Sequence, residues 1–130
     1  MEALLQQLSI PGYFDAPLAV SSLPTILSGL PMSLLLLVIC FSLANVLGFV
    51  IMLMRISRFK ILQWPARFYI SFFRGVPMLV VLFLTYFGLN LDAIPAAILS
   101  LTIVPAAFIA EYYRSAFIAI DPGQLEAGLS

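Results

Sequence analysis

The sequence predicts an all-α membrane protein with three transmembrane helices. Of its 130 residues, 63% are hydrophobic and only 9% are charged, whereas a soluble domain carries about a quarter charged residues. Residues 30–54 contain no charge at all, and most of the basic residues follow directly after them. Such a chain could not cover an apolar core with polar surface, so a lipid bilayer is its expected surrounding.

Residues 1–29 are expected to form a partly helical segment that lies on the outer face of the membrane. Pro11, Pro17 and Pro24 interrupt it, so no continuous apolar helix of about twenty residues remains for a fourth span. The first residues carry no basic side chain and therefore lack the pattern of a secretory signal or transit peptide.

The first predicted span covers residues 30–54. As a helix it is roughly 37 Å long, which is enough to cross a hydrocarbon layer of about 30 Å with some tilt. Ser33, Ser42, Asn45 and Gly48 interrupt its apolar sequence and predict a face that packs on other helices. For Asn45 we favour helix packing over contact with a substrate, although its amide could also line a pathway.

The second predicted span covers residues 72–91. Gly75 and Pro77 should bend it, because proline cannot donate to the carbonyl four residues earlier. Pro65 could begin the helix earlier, which would make residues 67–74 an interfacial stretch that is aromatic with basic ends.

The third predicted span covers residues 94–120, with a kink or local opening at Pro105. The link between spans two and three, residues 88–93, is so short that the two spans should form an antiparallel hairpin. Thr85 and Tyr86, near this link, could line a pathway, although for Tyr86 we favour the role of an interfacial anchor.

The basic residues predict the orientation in the membrane. Cytoplasmic loops are enriched in lysine and arginine, so the N-terminus and residues 88–93 should lie outside and the C-terminus in the cytoplasm. Five of the six basic residues lie between spans one and two, and the sixth, Arg114, lies late in span three; the five are Arg55, Arg58, Lys60, Arg67 and Arg74.

The end of span three carries two signals. Glu111 and Arg114 are three residues apart and share a helix face, so they should pair, either as an interfacial ion pair, which we favour, or as a latch at the inner mouth of a pathway. Asp121 as N-cap, Pro122 at the first position and Gln124 as partner in a capping box predict a new short helix. Such a cytoplasmic helix must contact the protein's own loops or a partner.

Catalytic chemistry is not indicated. The chain has no histidine, six acidic residues and one cysteine, Cys40, within an apolar run, so neither a zinc or copper site nor acid–base catalysis is expected. No glycine-rich phosphate loop is present. We expect no enzyme activity, no metal, no cofactor and no nucleic-acid partner.

Four ordered motifs resemble a known family. Residues 29–34 read GLPMSL, residues 73–80 read FRGVPMLV, residues 86–89 read YFGL, and residues 110–127 read AEYYRSAFIAIDPGQLEA. Together they are similar to the permease subunits of polar amino-acid ABC importers, over residues 25–130. This resemblance implies a multi-pass permease in a prokaryotic cell membrane that works as a homodimer or with a related permease.

The resemblance also implies partners and roles. Two cytoplasmic ABC ATPase subunits would hydrolyse ATP, and an extracytoplasmic solute-binding protein would deliver the amino acid. Gly123, Gln124, Glu126 and Ala127 would lie in the coupling helix that contacts the ATPase. Gly128 stands where the family motif has alanine, which should weaken that helix by roughly 0.5–1 kcal/mol.

The family has five spans, so residues 30–130 would correspond to the N-terminal portion of its transmembrane domain. We therefore expect the chain to be the front part of a permease, without a closed translocation route of its own. The alternative is a small three-span membrane protein that assembles with other proteins and has no transport of its own.

Overall fold

The computed structural model describes residues 1–120 and 122–129. The regular elements in these two ranges are all helical, so the predicted all-α class is confirmed. The predicted N-cap, Asp121, lies outside the described residues. The helices are α1 (Glu2–Gln7), α2 (Ala16–Ser28), α3 (Leu30–Ile56), α4 (Lys60–Gly75), α5 (Met78–Phe83), a π-helical segment (Leu84–Gly88) that continues α5, α6 (Ala93–Ile118) and α7 (Pro122–Leu129).

Two helices, α3 and α6, are long and apolar enough to cross a membrane. A third crossing exists only if α4 and the following Met78–Gly88 are counted as one span, although they meet at an angle of 101°. Residues 72–91, predicted as one bent span, are therefore divided between two helices that point in different directions.

The N-terminal unit, Met1–Leu37, is tied together by polar side chains. The Ser9 hydroxyl donates to the carbonyl of Leu5 at 3.1 Å and accepts from the N–H of Ala16 at 2.9 Å, which joins α1 to the start of α2. Asp15 caps α2 by accepting from the N–H of Leu18 at 3.1 Å. At 13 residues, α2 is about 20 Å long, too short to cross a bilayer by itself.

The break between α4 and α5 follows from the local sequence. Val76 is extended, with φ −103° and ψ 128°, because the residue before a proline is disfavoured in the helical region. Pro77 then precedes the first turn of α5. At its other end, α4 begins at Lys60 rather than at Pro65. Pro65 lies inside α4 and leaves the carbonyl of Ile61, in the first turn, without its usual helical donor.

From Val38 onward, α3, α4 and α6 share one core. Gly48 lies at its tightest point: a Cβ atom there would come within 2.8 Å of Ile109 Cγ2 and 3.0 Å of the Ala106 carbonyl oxygen. Glycine is therefore required for α3 to approach α6 this closely, as expected for small residues in membrane helix contacts. The buried members of this core are Ala44, Ile51, Met52, Ala66, Ile70, Ala106 and Ala110.

The segment after the break runs antiparallel to α6, in the arrangement predicted for spans two and three. Pro77, at its start, shares a cleft with Pro105 in the middle of α6. Thr85, near its end, has its hydroxyl 3.4 Å from the carbonyl of Ala96, close to the start of α6. α6 itself continues through Pro105 as one helix from Ala93 to Ile118.

Candidate functional site

A cleft of about 620 Å³ that could hold a ligand lies at the break between α4 and α5. It is bounded by the broken helix on one side and the middle of α6 on the other, with one residue of α3. Most of its wall is apolar or aromatic, and Arg74 supplies the charge. The lining residues are Phe41, Arg74, Gly75, Val76, Pro77, Met78, Val104, Pro105, Phe108, Ile109 and Tyr112.

The three residues that we expected to kink spans two and three all line this one cleft. Gly75 and Pro77 flank the helix break, and Pro105 lies opposite them on α6. Because Pro105 has no N–H, the carbonyl of Leu101 lacks its usual helical donor. The sequence indicated each residue by its own backbone chemistry, but only the antiparallel packing brings them together.

Arg74 is held at the wall of the cleft by an aromatic ring. Its guanidinium carbon lies 5.7 Å from the centroid of the Phe108 ring, within the range of a cation–π contact. From the sequence, Arg74 was expected to contribute to the orientation and to form the basic end of an interfacial stretch, whereas no pattern singled out Phe108. The sequence around Phe108 contains no signal of this contact, since phenylalanine is common in apolar membrane spans.

Glu111 and Arg114 form the predicted ion pair. Arg114 donates from Nε at 2.9 Å, and also from a terminal nitrogen, to the same carboxylate oxygen of Glu111. The side chains of Arg114 and Glu111 are 27% and 20% exposed, respectively. Arg55 and Arg74 are further electrostatic neighbours of Glu111. One carboxylate therefore faces three guanidinium groups, so this corner of the site carries an excess of positive charge.

Asn45 takes part in a contact between helices rather than in the cleft. Its side-chain nitrogen donates to the carbonyl of Phe41 at 2.7 Å, and its oxygen accepts from the Tyr113 hydroxyl at 2.7 Å. Tyr113 also packs edge-on against Phe49, with 6.1 Å between ring centroids. Tyr113 is a polar partner that the sequence analysis missed, because the bond joins residues 68 positions apart.

Thr85 and Tyr86 do not line the main cleft either. Thr85 is buried, and its hydroxyl donates to the carbonyl of Leu82 at 2.9 Å. Tyr86 is exposed and packs edge-on against Phe87 at 4.7 Å. Thr85 meets α6 at Ala96, whereas Asn45 meets it at Tyr113, and 17 residues of helix separate those two contacts by about 25 Å. The three predicted pathway residues are therefore not gathered into one site.

The short helix predicted to begin at Pro122 is confirmed as α7, Pro122–Leu129. It follows α6, which ends at Ile118. The four residues for which we expect a coupling role, Gly123, Gln124, Glu126 and Ala127, all lie on α7 and are exposed. Within the described ranges no group of three or more histidine, cysteine or acidic residues is placed to hold a metal ion.

Comparison with known proteins gives a consistent result. The chain is 40% identical over 122 residues to the probable amino-acid ABC transporter permease protein YckA of Bacillus subtilis (strain 168), covering 90% of this chain and 54% of that protein. It is 36% identical over 122 residues to the arginine transport system permease protein ArtQ of the same organism, covering 89% of this chain and 56% of that protein. No protein-family model matches the chain.

A solved structure agrees with these relatives. The crystal structure of an amino acid ABC transporter with histidines superposes with a TM-score of 0.76 at 37% identity, covering 84% of this chain and 53% of that chain. The chain spans about half the length of the curated relatives it matches. Over about half of their length, the chain is therefore similar to amino-acid ABC transporter permeases.

Proposed function

We propose that the chain forms the N-terminal part of the membrane domain of an ABC importer for polar amino acids. The observation that carries this proposal is the 40% identity to a probable amino-acid permease over 90% of the chain. Relatives named for arginine, octopine and glutamine transport indicate amino acids with polar side chains as the substrate class. The alternative of a three-span protein without transport has no comparable support.

The cleft at the α4–α5 break is our proposed contribution of this chain to the translocation pathway. Its wall offers aromatic rings and one guanidinium, that of Arg74. A guanidinium pairs well with a carboxylate, and every free amino acid carries one. Residues from the rest of a permease would complete the pathway, because the relatives are about twice as long as the matched segment.

α7 is our proposed contact with the ATPase. It is short, exposed and separated from the end of α6 by only a few residues, so a push on α7 would reach α6 over a short length of chain. The Glu111–Arg114 pair lies within the last turns of α6 and would stiffen the same path. Closure of a cytoplasmic ATPase dimer would thereby rock the membrane helices about the cleft.

The remaining parts of the proposal concern orientation and assembly. We place the N-terminus outside and α7 in the cytoplasm of a prokaryotic cell membrane, on the basis of the five basic residues from Arg55 to Arg74. A second permease subunit and an extracytoplasmic solute-binding protein would complete the importer. ATP hydrolysis would belong to the partner, so this chain itself would not be an enzyme.

A paired substitution on α7 tests the proposal. In the assembled transporter, Gln124→Ala with Glu126→Lys should abolish substrate-stimulated ATP hydrolysis, because it reverses a charge and removes an amide on the coupling surface. Membrane insertion should be unchanged, since both side chains are exposed.

The matched control makes the same exchanges on the other short exposed helix, as Gln6→Ala with Glu2→Lys on α1. It should leave stimulation at the wild-type level. Full stimulation in the α7 variant, or equal loss in both variants, would refute the assignment of α7 as the coupling element.

A further inference from the structure

Helix α4 presents three different faces. Ala66 and Ile70 are buried in the core formed with α3 and α6. A second face is apolar and exposed: Ile61 is 86%, Trp64 is 74% and Phe68 is 62% exposed. Phe72 extends this face and stacks on Phe68 with 5.8 Å between ring centroids. Packing against α3 and α6 covers only one face of α4 and leaves this large apolar and aromatic face exposed.

The third face of α4 is basic. Lys60, Arg67 and Arg74 are seven residues apart, which is close to two helical turns, so they lie along one line. Gln63 and Ser71 fall between them on the same side. Within residues 1–120 and 122–129, none of the three cations forms an ion pair with an acidic side chain.

The direction of α4 places these faces at a membrane surface. α4 meets the Met78–Gly88 segment at 101°, and that segment runs along α6. If α6 crosses the bilayer, α4 therefore lies in the plane of the membrane. It packs against Ala106 and Ala110 of α6, about 20–26 Å from the start of that helix. This depth is about 4–10 Å short of the far boundary of a hydrocarbon layer about 30 Å thick, which matches the roughly 5–10 Å to which the apolar face of an interfacial helix is buried.

A groove connects the basic face with the aromatic face. It has a volume of about 310 Å³ and is lined by Lys60, Gln63, Trp64 and Arg67. Gln63 is fixed in the groove because its amide nitrogen donates to the carbonyl of Ser57, and its oxygen accepts from Arg67 at 3.4 Å. Two cationic side chains and the Trp64 indole therefore line a space of headgroup size, next to the exposed apolar face of α4.

We propose that α4 is a membrane-surface helix whose groove binds the phosphate of an anionic phospholipid headgroup. Lys60 and Arg67 bind the phosphate, while Ile61, Phe68 and Phe72 enter the acyl region. A basic polar face with tryptophan and phenylalanine on the other is the pattern of interfacial helices. The charge of the groove selects an anionic over a zwitterionic lipid. This inference does not depend on the proposed transport function.

Trp64 makes a direct test possible because it is the chain's single tryptophan. The purified chain is placed in phosphatidylcholine nanodiscs that contain a small fraction of either brominated phosphatidylglycerol or brominated phosphatidylcholine, and quenching of Trp64 fluorescence is measured. We expect much stronger quenching by the anionic lipid. Each basic side chain near a membrane contributes about fivefold to anionic lipid binding, so Lys60→Gln with Arg67→Gln should reduce this preference by about 10- to 30-fold.

The matched control exchanges the two cations without changing the charge, as Lys60→Arg with Arg67→Lys, and should retain most of the preference. Equal quenching of the wild type by both lipids would overturn the proposal. So would the absence of quenching by either lipid, which would mean that protein covers Trp64 or that α4 lies away from the bilayer. If the Lys60→Gln, Arg67→Gln variant fails to fold, the comparison of the two brominated lipids with the wild-type chain still tests whether the groove prefers an anionic lipid.

Discussion

At the scale of single residues, Glu111 balances a cluster of like charges. Its carboxylate pairs with Arg114 and has Arg55 and Arg74 as further cationic neighbours. A single ion pair at a partly exposed site stabilises a protein by only about 0–1 kcal/mol. We therefore expect the Glu111 carboxylate to stabilise the fold mainly by interacting with all three guanidinium groups. Removing the carboxylate and removing one guanidinium should therefore have unequal effects.

We expect Glu111→Gln to lower the free energy of unfolding by about 1 kcal/mol more than Arg114→Gln does. The first change leaves three cations without their shared carboxylate, whereas the second still leaves Glu111 two cationic neighbours. Unfolding of both variants in detergent, followed by circular dichroism, measures the difference. An equal or larger loss in Arg114→Gln would show that the pair acts alone.

A second residue-scale prediction concerns the hydrogen bond between Asn45 and Tyr113. A double-mutant cycle with Asn45→Val and Tyr113→Phe should give a coupling free energy of about 0.6 kcal/mol, as is typical of such bonds between membrane helices. The control cycle pairs Asn45→Val with Tyr112→Phe, because Tyr112 lines the cleft and makes no hydrogen bond to Asn45. Similar coupling in both cycles would mean that the bond contributes nothing specific.

At the scale of secondary-structure elements, α6 is the common partner of α3, α4 and α5. Small residues make this possible: Ala96, Ser100, Ala106, Ala107 and Ala110 are all buried on α6. Small residues let backbones approach closely where no hydrophobic force drives helices together. The contact of α3 at Gly48 is close enough that an added Cβ atom would lie 2.8 Å from Ile109 Cγ2.

We expect Gly48→Ala to destabilise the protein by about 1–3 kcal/mol, because the new methyl group overpacks the contact with Ile109 and Ala106. Adding Ile109→Ala should recover part of the loss by removing the nearer atom. Gly88→Ala is the control, since its new Cβ would meet only Leu84 Cδ2 at 3.9 Å. The explanation fails if the two glycine variants unfold at the same denaturant concentration.

The elements also show what could be predicted from the sequence. Pro77 and Gly75 predicted a bend, since both act on the local backbone. The sharp angle of 101° was not predicted, because it depends on the packing of Ala66 and Ile70 against α3 and α6. Long apolar runs likewise predicted helices over residues 30–54 and 94–120, and the four ends of α3 and α6 differ from these by two residues or fewer.

The site was less predictable than the helices. Pro105 was predicted as a kink position because a proline removes one backbone hydrogen bond from any helix that contains it. Its position opposite Pro77 was not predicted, because that depends on how α6 and the antiparallel Met78–Gly88 segment are aligned. Tyr113 and Phe108 were missed, since their partners Asn45 and Arg74 are distant in sequence. The exposed aromatic face of α4 was only partly anticipated, because a sequence pattern alone does not say which of two apolar stripes is buried.

At the scale of the whole molecule, orientation is the property on which the transport proposal depends. If the basic residues from Arg55 to Arg74 lie in the cytoplasm, as the enrichment of cytoplasmic loops in lysine and arginine predicts, the link before α6 should face outside. In a Cys40→Ser background, Asp92→Cys should react with a membrane-impermeant maleimide in intact cells. Phe59→Cys, equally exposed in the structure, should react only after the membrane is opened. The reverse pattern would invert the proposed topology.

The most direct test of the central claim is to ask what α7 touches. A photo-reactive phenylalanine analogue is placed at Gln124 of α7, or at Gln6 of α1 as control, and membranes of the source cells are irradiated. If α7 couples this chain to an ABC ATPase, position 124 should form an adduct with the ATPase subunit and position 6 should not. An irradiated chain that forms no ATPase adduct at position 124, or forms it equally at both positions, would contradict the account.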